Sequence, residues 1–303
     1  MKKLLLLIPV LMFAVLGCKG NADAGANSQA DIAQFQKYIQ ELQEGNTNIK
    51  VEKLADIKEM PGFAYVKITG DGQEKMAITN GRLLIDAQII DLKEKVSITS
   101  IYNFEHAKPK NIDVSNLTLA GGNKDSKTVI VEITDFQCPY CKEANKLFKQ
   151  KLADKKDYAL YIMHMPLDMH PNARIMAQIF EAGMQMGVNF KNDLFEFDGE
   201  GLIQKVAEEY KNNNKIVNFS QEDVEKIFKA VDMEIVNIFA GKTPDAKGFK
   251  ELVMSPAIVE KVEKSIAQAD SLGERSTPAF YINGKGIQGF DAPLLNKVLG
   301  EIK

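Results

Sequence analysis

Cys138 and Cys141 stand three positions apart in the run Phe136-Gln137-Cys138-Pro139-Tyr140-Cys141. A Cys-x-x-Cys pair has three chemical readings: half of a zinc site, a structural crosslink, or a redox-active dithiol. Zinc needs further ligands, but there is no second cysteine pair, and the three histidines of the chain do not complete a standard spacing. A crosslink closing so small a loop would stabilise a fold of this size little, so the spacing favours redox chemistry. Upstream, the β-branched run Thr128 to Thr134 predicts a buried strand. Downstream, Ala144, Leu147, Phe148 and Leu152 lie on one helical face, and Pro139 suits the first helical position because its missing N–H costs nothing there. Strand, motif, helix is therefore the expected order. At a helix start the first thiol lies over unpaired N–H groups and the positive dipole end, which stabilise a thiolate. This makes Cys138 the nucleophile. Cys141, one turn further on, is the resolving thiol that releases a mixed disulfide.

The third cysteine, Cys18, belongs to a different signal. Lys2 and Lys3 precede an apolar run of 13 residues, Leu4 to Leu16. That is shorter than the roughly 20 residues needed to span a bilayer and has the form of an export signal. Val15-Leu16-Gly17-Cys18 resembles the lipobox of bacterial lipoproteins, which implies removal of residues 1–17 and lipidation of Cys18. Several acyl chains on one residue would anchor the protein stably without spanning. Lys19 to Asn27 then has the composition of a flexible tether.

At 303 residues the chain has room for two domains, since single domains run to about 100–200 residues. Charged residues make up 26%, with 38 basic against 41 acidic, an ordinary globular balance without the field that would gather nucleic acid. Ile32, Phe35, Ile39 and Leu42 predict a short amphipathic helix ended by Gly45. From about Asn46 to Lys95, short apolar runs separated by Pro61-Gly62, Gly70-Asp71-Gly72 and Asn80-Gly81 predict a small antiparallel β domain. So thin a core calls for a second covering surface, and another copy of the chain is the economical candidate, which predicts a homodimer. Val96 to Lys110 reads as a connecting segment stopped by Pro109, with the next domain starting near Ile112. The expected organisation is a signal peptide (1–17), a tether and short helix (18–45), a small β domain with linker (46–111) and a larger α/β domain (112–303). In that last domain, Tyr158 to Met165 reads as a strand. His170 to Gly187, Gly201 to Lys211, Gln221 to Phe239 and Pro256 to Leu272 read as helices, and Ala279 to Ile302 as a hairpin followed by a closing helix.

With these motifs in view, residues from about Ile112 onward resemble the DsbA-like branch of the thioredoxin superfamily. The Cys-Pro-Tyr-Cys motif after a strand, the inserted helices and Ser276-Thr277-Pro278-Ala279-Phe280-Tyr281-Ile282-Asn283-Gly284 carry the resemblance. The preceding β segment resembles the N-terminal dimerisation domain of the DsbC and DsbG isomerases. The resemblance implies a thioredoxin-like α/β (α+β) fold with a helical insertion, preceded by a small mostly β domain. It makes Pro278 a cis-proline facing the cysteines and Thr277 the residue that meets a bound peptide; Thr243-Pro244 lacks a following strand and is rejected for that role. Pro139 and Tyr140 would line the same substrate site. Glu132, six residues before Cys138, matches the buried acid that assists proton transfer at the resolving thiol, the alternative being a solvent-facing side chain on the strand. Met163-His164-Met165 with Met169-His170 offers soft copper ligands, but core packing is the stronger reading.

Taken together, these features predict thiol–disulfide exchange on exported, cysteine-containing proteins in the bacterial cell envelope, with the protein facing the periplasm. They imply no metal and no cofactor beyond the Cys138–Cys141 disulfide, and a membrane partner that resets its redox state. Tyr140 and Thr277, shared with the DsbG type, favour a disulfide isomerase or reductase. A DsbA-type dithiol oxidase is the enzymatic alternative. A chaperone-like module for unfolded exported chains is the non-enzymatic one.

Overall fold

The computed structural model describes residues 30–42, 48–93 and 95–303. The signal peptide, Cys18, the tether and Gly45 lie outside the described residues. The chain divides into two compact units, one ending at Asp86 and one running from Ala87 to Lys303. The boundary expected near Ile112 therefore falls inside the second unit.

In the first unit α1 (Ile32–Leu42) is followed by β1 (Lys50–Asp56), β2 (Ala64–Gly70), β3 (Gln73–Thr79) and β4 (Leu84–Ile85). The strands pair in that order as an antiparallel meander. The β2–β3 turn carries Asp71 at φ 49° and Gly72 at φ 77°, so a two-residue hairpin matches the strand twist. The apolar stripe of α1, Phe35 and Ile39, packs with Ile49, Ala64, Val66 and Ala77. The helix thus covers one face of this small sheet.

The second unit opens with β5 (Ile90–Asp91), β6 (Val96–Ser97) and α2 (Ile98–His106). The segment read as a connector contains this helix because Ser97 caps it, its hydroxyl accepting from the Ser100 N–H at 3.0 Å. Next come β7 (Thr118–Gly122), β8 (Val129–Thr134), α3 (Pro139–Lys151) and β9 (Ala159–His164). The inserted helices are α4 (Ala173–Gln185), α5 (Lys191–Glu196), α6 (Gly199–Asn214), α7 (Gln221–Ala240) and α8 (Ala246–Val253). The chain closes with α9 (Pro256–Ser271), β10 (Ala279–Ile282), β11 (Lys285–Gln288) and α10 (Ala292–Gly300). The five-stranded sheet has the order β11-β10-β8-β9-β7, with β8 and β9 parallel and every other pair antiparallel.

β8 and β9 are central and buried on both faces, as their apolar sequences require. On one face Ile130, Leu160 and Phe280 pack against Ala144 and Phe148 of α3 and Leu295 and Leu299 of α10. On the other, Val131, Ile133 and Met163 pack with Ala269 of α9. The inserted helices bury their own aromatic core, including Phe180, Phe190, Phe239 and Phe249, in a cluster that reaches Phe136, Cys138 and Cys141. The expected order of β-α-β, helical insertion and β-β-α is present. β7, α5 and α8 are additions that the periodicity did not show.

Candidate active site

Strand β8 ends at Thr134, and four residues later Cys138 occupies the N-cap of α3 with extended backbone (φ −71°, ψ 123°) and Pro139 behind it. Both thiols are free, and both residues are buried, Cys138 at 4% exposure and Cys141 at 0%. Pro139 and Tyr140 are exposed beside them, Tyr140 at 63%. The Thr277–Pro278 peptide bond is cis, and the Cys138 Sγ lies 3.5 Å from the Thr277 carbonyl oxygen. β10 brings this loop to the cysteines by pairing with β8, Ala279 opposite Ile133.

The two thiols are driven in opposite directions. Hydrogen bonding from the Cys141 thiol, then the contact with Thr277 and the backbone N–H groups of Cys141 and Tyr140, outweigh burial and lower Cys138 to about 5. Burial first, and then its own hydrogen bond to Cys138, pushes Cys141 well above the ordinary thiol range. A thiolate at Cys138 and a protonated donor at Cys141 is the arrangement an attack-and-resolve sequence needs.

Glu132 is fully buried, which removes the solvent-facing alternative. Its carboxylate is ion-paired at 2.9 Å with Lys191 of α5. The Lys191 ammonium also donates to Asn145 Oδ1 at 2.6 Å and lies 5.4 Å from the Phe195 ring centroid. Along β8, Glu132 and Thr134 share a face, and the Thr134 hydroxyl sits beside Cys141, where it favours the thiolate. Sequence reasoning missed Lys191 and Asn145. A lysine in the polar-looking Val-Asn-Phe-Lys-Asn-Asp segment carries no local sign of burial.

A second missed constellation surrounds Asp135. Its Oδ1 accepts from the Gln137 N–H at 2.7 Å, and its Oδ2 accepts from the Leu167 N–H at 2.8 Å and pairs with His170 Nδ1 at 2.7 Å. Gln137 Oε1 accepts from the Asn172 N–H at 2.7 Å. The loop after β9 is thereby tied to the loop that carries Cys138. His170 is engaged by Asp135, His164 by Glu181 and Met163 by the core, and among the described residues no cluster of His, Cys, Asp or Glu is arranged to hold a metal. Among the described residues no helix is long and apolar enough to cross a membrane.

A family model described as thioredoxin matches residues 115–294. The chain belongs to the thioredoxin family, and both the DsbA-like resemblance and the thioredoxin-like α/β fold behind a small sheet are borne out. Among relatives, it is 26% identical over 183 residues to the Na(+)/H(+) antiporter NhaA of Herminiimonas arsenicoxydans, a match covering 59% of this chain and 24% of that protein. The chain thus spans about a quarter of the length of such antiporters. It is 23% identical over 194 residues to the probable disulfide bond formation protein D of Bacillus anthracis, covering 62% of this chain and 79% of that one. Of solved structures, oxidised BdbD from Bacillus subtilis matches at 17% identity and a TM-score of 0.46, over 64% of this chain and 96% of that chain.

Proposed function

We propose that this protein is a thiol–disulfide oxidoreductase that acts on exported proteins, working mainly from its reduced state as an isomerase or reductase. The observation that carries this reading is the opposed tuning of the two thiols of one Cys-x-x-Cys against the Thr277 carbonyl. The Cys138 thiolate attacks a substrate disulfide. One substrate sulfur leaves as a thiolate, and a mixed disulfide forms on Cys138. Cys141 then loses its proton and attacks the Cys138 sulfur, so that the second substrate sulfur leaves and the Cys138–Cys141 disulfide forms. That disulfide is the redox group, with no other cofactor. Thr277, Pro278, Pro139 and Tyr140 border the substrate chain, and Glu132 serves proton transfer at Cys141.

A dithiol oxidase is the second reading, and two observations favour it. A stabilised Cys138 thiolate stabilises the reduced form and so makes the disulfide a stronger oxidant, and a relative is named for disulfide bond formation. The redox state of Cys138 and Cys141 in intact cells separates the two. A steady-state dithiol supports the isomerase or reductase, and a steady-state disulfide supports the oxidase.

The export signal and Cys18 support a position on the periplasmic side of a bacterial membrane with a lipid anchor, where a membrane redox partner would reset the thiols. Cys18→Ala should stay unprocessed or leave the membrane fraction, and wild-type fractionation of that variant would rule out the anchor. The small β unit supports a homodimer, for which light scattering of the soluble form should give twice the chain mass. A monomeric mass would remove the main argument for an isomerase.

A further inference from the structure

Between the end of α9 and the start of β10 the chain has to bring Thr277 to Cys138, and it does so past a buried acid that the exchange chemistry has not used. Glu274, three residues before Thr277, is only 3% exposed. Beyond Thr277 the backbone is fixed by the sheet, since Ala279 pairs with Ile133 of β8 and the Gly289 N–H donates to the Pro278 carbonyl at 3.0 Å. Before Thr277 the ladder does not continue, and side chains hold the loop instead.

The register of the closing hairpin supplies them. Tyr281 and Ala279 are two positions apart on β10, and Gln288 stands opposite Ala279 on β11, so all three lie on one face of the sheet. On this face Ala269 of α9 packs with Ala279 and Tyr281. The Tyr281 hydroxyl donates to Glu274 Oε1, and Gln288 Nε2 donates to the same oxygen at 3.0 Å. Behind them, Lys110 Nζ donates to the Tyr281 hydroxyl at 2.9 Å and to the Leu272 carbonyl at 2.7 Å. Arg275 closes the outer side, its guanidinium donating to Asp270 Oδ1 at 2.8 Å and to the Glu274 carbonyl at 2.7 Å.

An apolar side chain would fill such a site at less cost in desolvation, so stability alone is a poor reason for an acid here. What the acid adds is direction, because two donors carried by β10 and β11 converge on one oxygen and fix the backbone behind it. Only Arg275 and Ser276 separate Glu274 from Thr277, whose carbonyl oxygen lies 3.5 Å from Cys138 Sγ. We propose that Glu274 is a positioning residue for substrate, held by Tyr281 and Gln288 so that the Thr277 backbone meets a peptide chain bound at Cys138. The proposal rests on the thiol-exchange reading above. Cys138 owes its low pKa first to Cys141, so its intrinsic reactivity does not depend on Glu274.

The test compares two reagents on the reduced full-length protein. Iodoacetamide needs only the Cys138 thiolate, whereas a short peptide closed by one disulfide must also lie along Thr277. In Glu274→Leu and Tyr281→Phe the second-order rate constant for the peptide should fall about tenfold, and that for iodoacetamide should stay within about twofold of wild type. Glu274→Gln keeps an oxygen acceptor for both donors and should restore the peptide rate. If Glu274→Leu does not fold, Tyr281→Phe decides, since it loses one hydroxyl and keeps the ring. A purely structural role would lower the melting temperature and leave the ratio of the two rates alone. An unchanged ratio in the folded variants overturns the proposal, as do equal losses with both reagents or a deficit shared by Glu274→Gln. A wild-type protein that alkylates but does not reduce the peptide would defeat the thiol-exchange reading, and the proposal with it.

Discussion

The two units of the chain place their charges in opposite ways. In the small unit the ion pairs Lys53–Asp56, Lys67–Glu52 and Lys75–Asp86 all have at least one side chain well exposed. The large unit buries Glu132, Asp135, His164, Glu181, Lys191 and Glu274. Most of these lie around one end of β8 and β9. Sequestering a charge costs several kcal/mol before pairing, so a thin core cannot carry many, whereas the large unit has three apolar clusters to absorb the cost. The contrast teaches that the buried titratable groups of the large unit are concentrated around the two thiols.

The sharpest way to break that contrast is at the cysteines. Cys138→Ala should abolish exchange and trap no partner, while Cys141→Ala should accumulate mixed disulfides through Cys138, read on non-reducing gels of exported proteins. Equal alkylation of both thiols at mildly acidic pH, with no trapped species, would move the reading toward a binding module.

Next in size is the buried ion pair. Lys191→Met leaves the Glu132 carboxylate unpaired inside the protein and should cost about 3–5 kcal/mol in urea unfolding. A loss below about 1 kcal/mol would mean that water reaches the pair.

The Cys138 pKa sets a pH dependence on the reduced protein. Its folded value, about 5, lies below the ordinary 9.0, so the thiolate contributes stability that is fully present above about pH 9 and lost as pH falls through 5. The melting temperature of the reduced form, compared with Cys138→Ser, should therefore rise between those limits. A pH-independent difference would contradict the depressed pKa.

The smallest effect belongs to the small unit. Lys67→Met removes the partner of the exposed Glu52 and should leave the urea unfolding midpoint almost unchanged. A loss matching that of Lys191→Met would erase the distinction between the units.

The nucleophile, the resolving thiol, the strand before them and the helix after them were all legible from residue order, because thiol spacing, β-branching, an N1 proline and apolar periodicity act over a few neighbouring positions. Thr277 and Pro278 were legible through family resemblance, which encodes a distant contact as a local motif. The Lys191 partner of Glu132, the Asp135 clasp on His170 and the Glu181 support of His164 were not. Each joins residues from 17 to 59 positions apart that nothing local marks as buried. α2 was hidden as well, because its helix-start signal is a single serine and its surroundings read as linker. Sequence alone therefore determined which two thiols stand at the start of the helix and in what order. Only the tertiary structure decided how their protons are held, because pKa values depend on burial and on charges that the fold, rather than the chain, brings within a few ångströms.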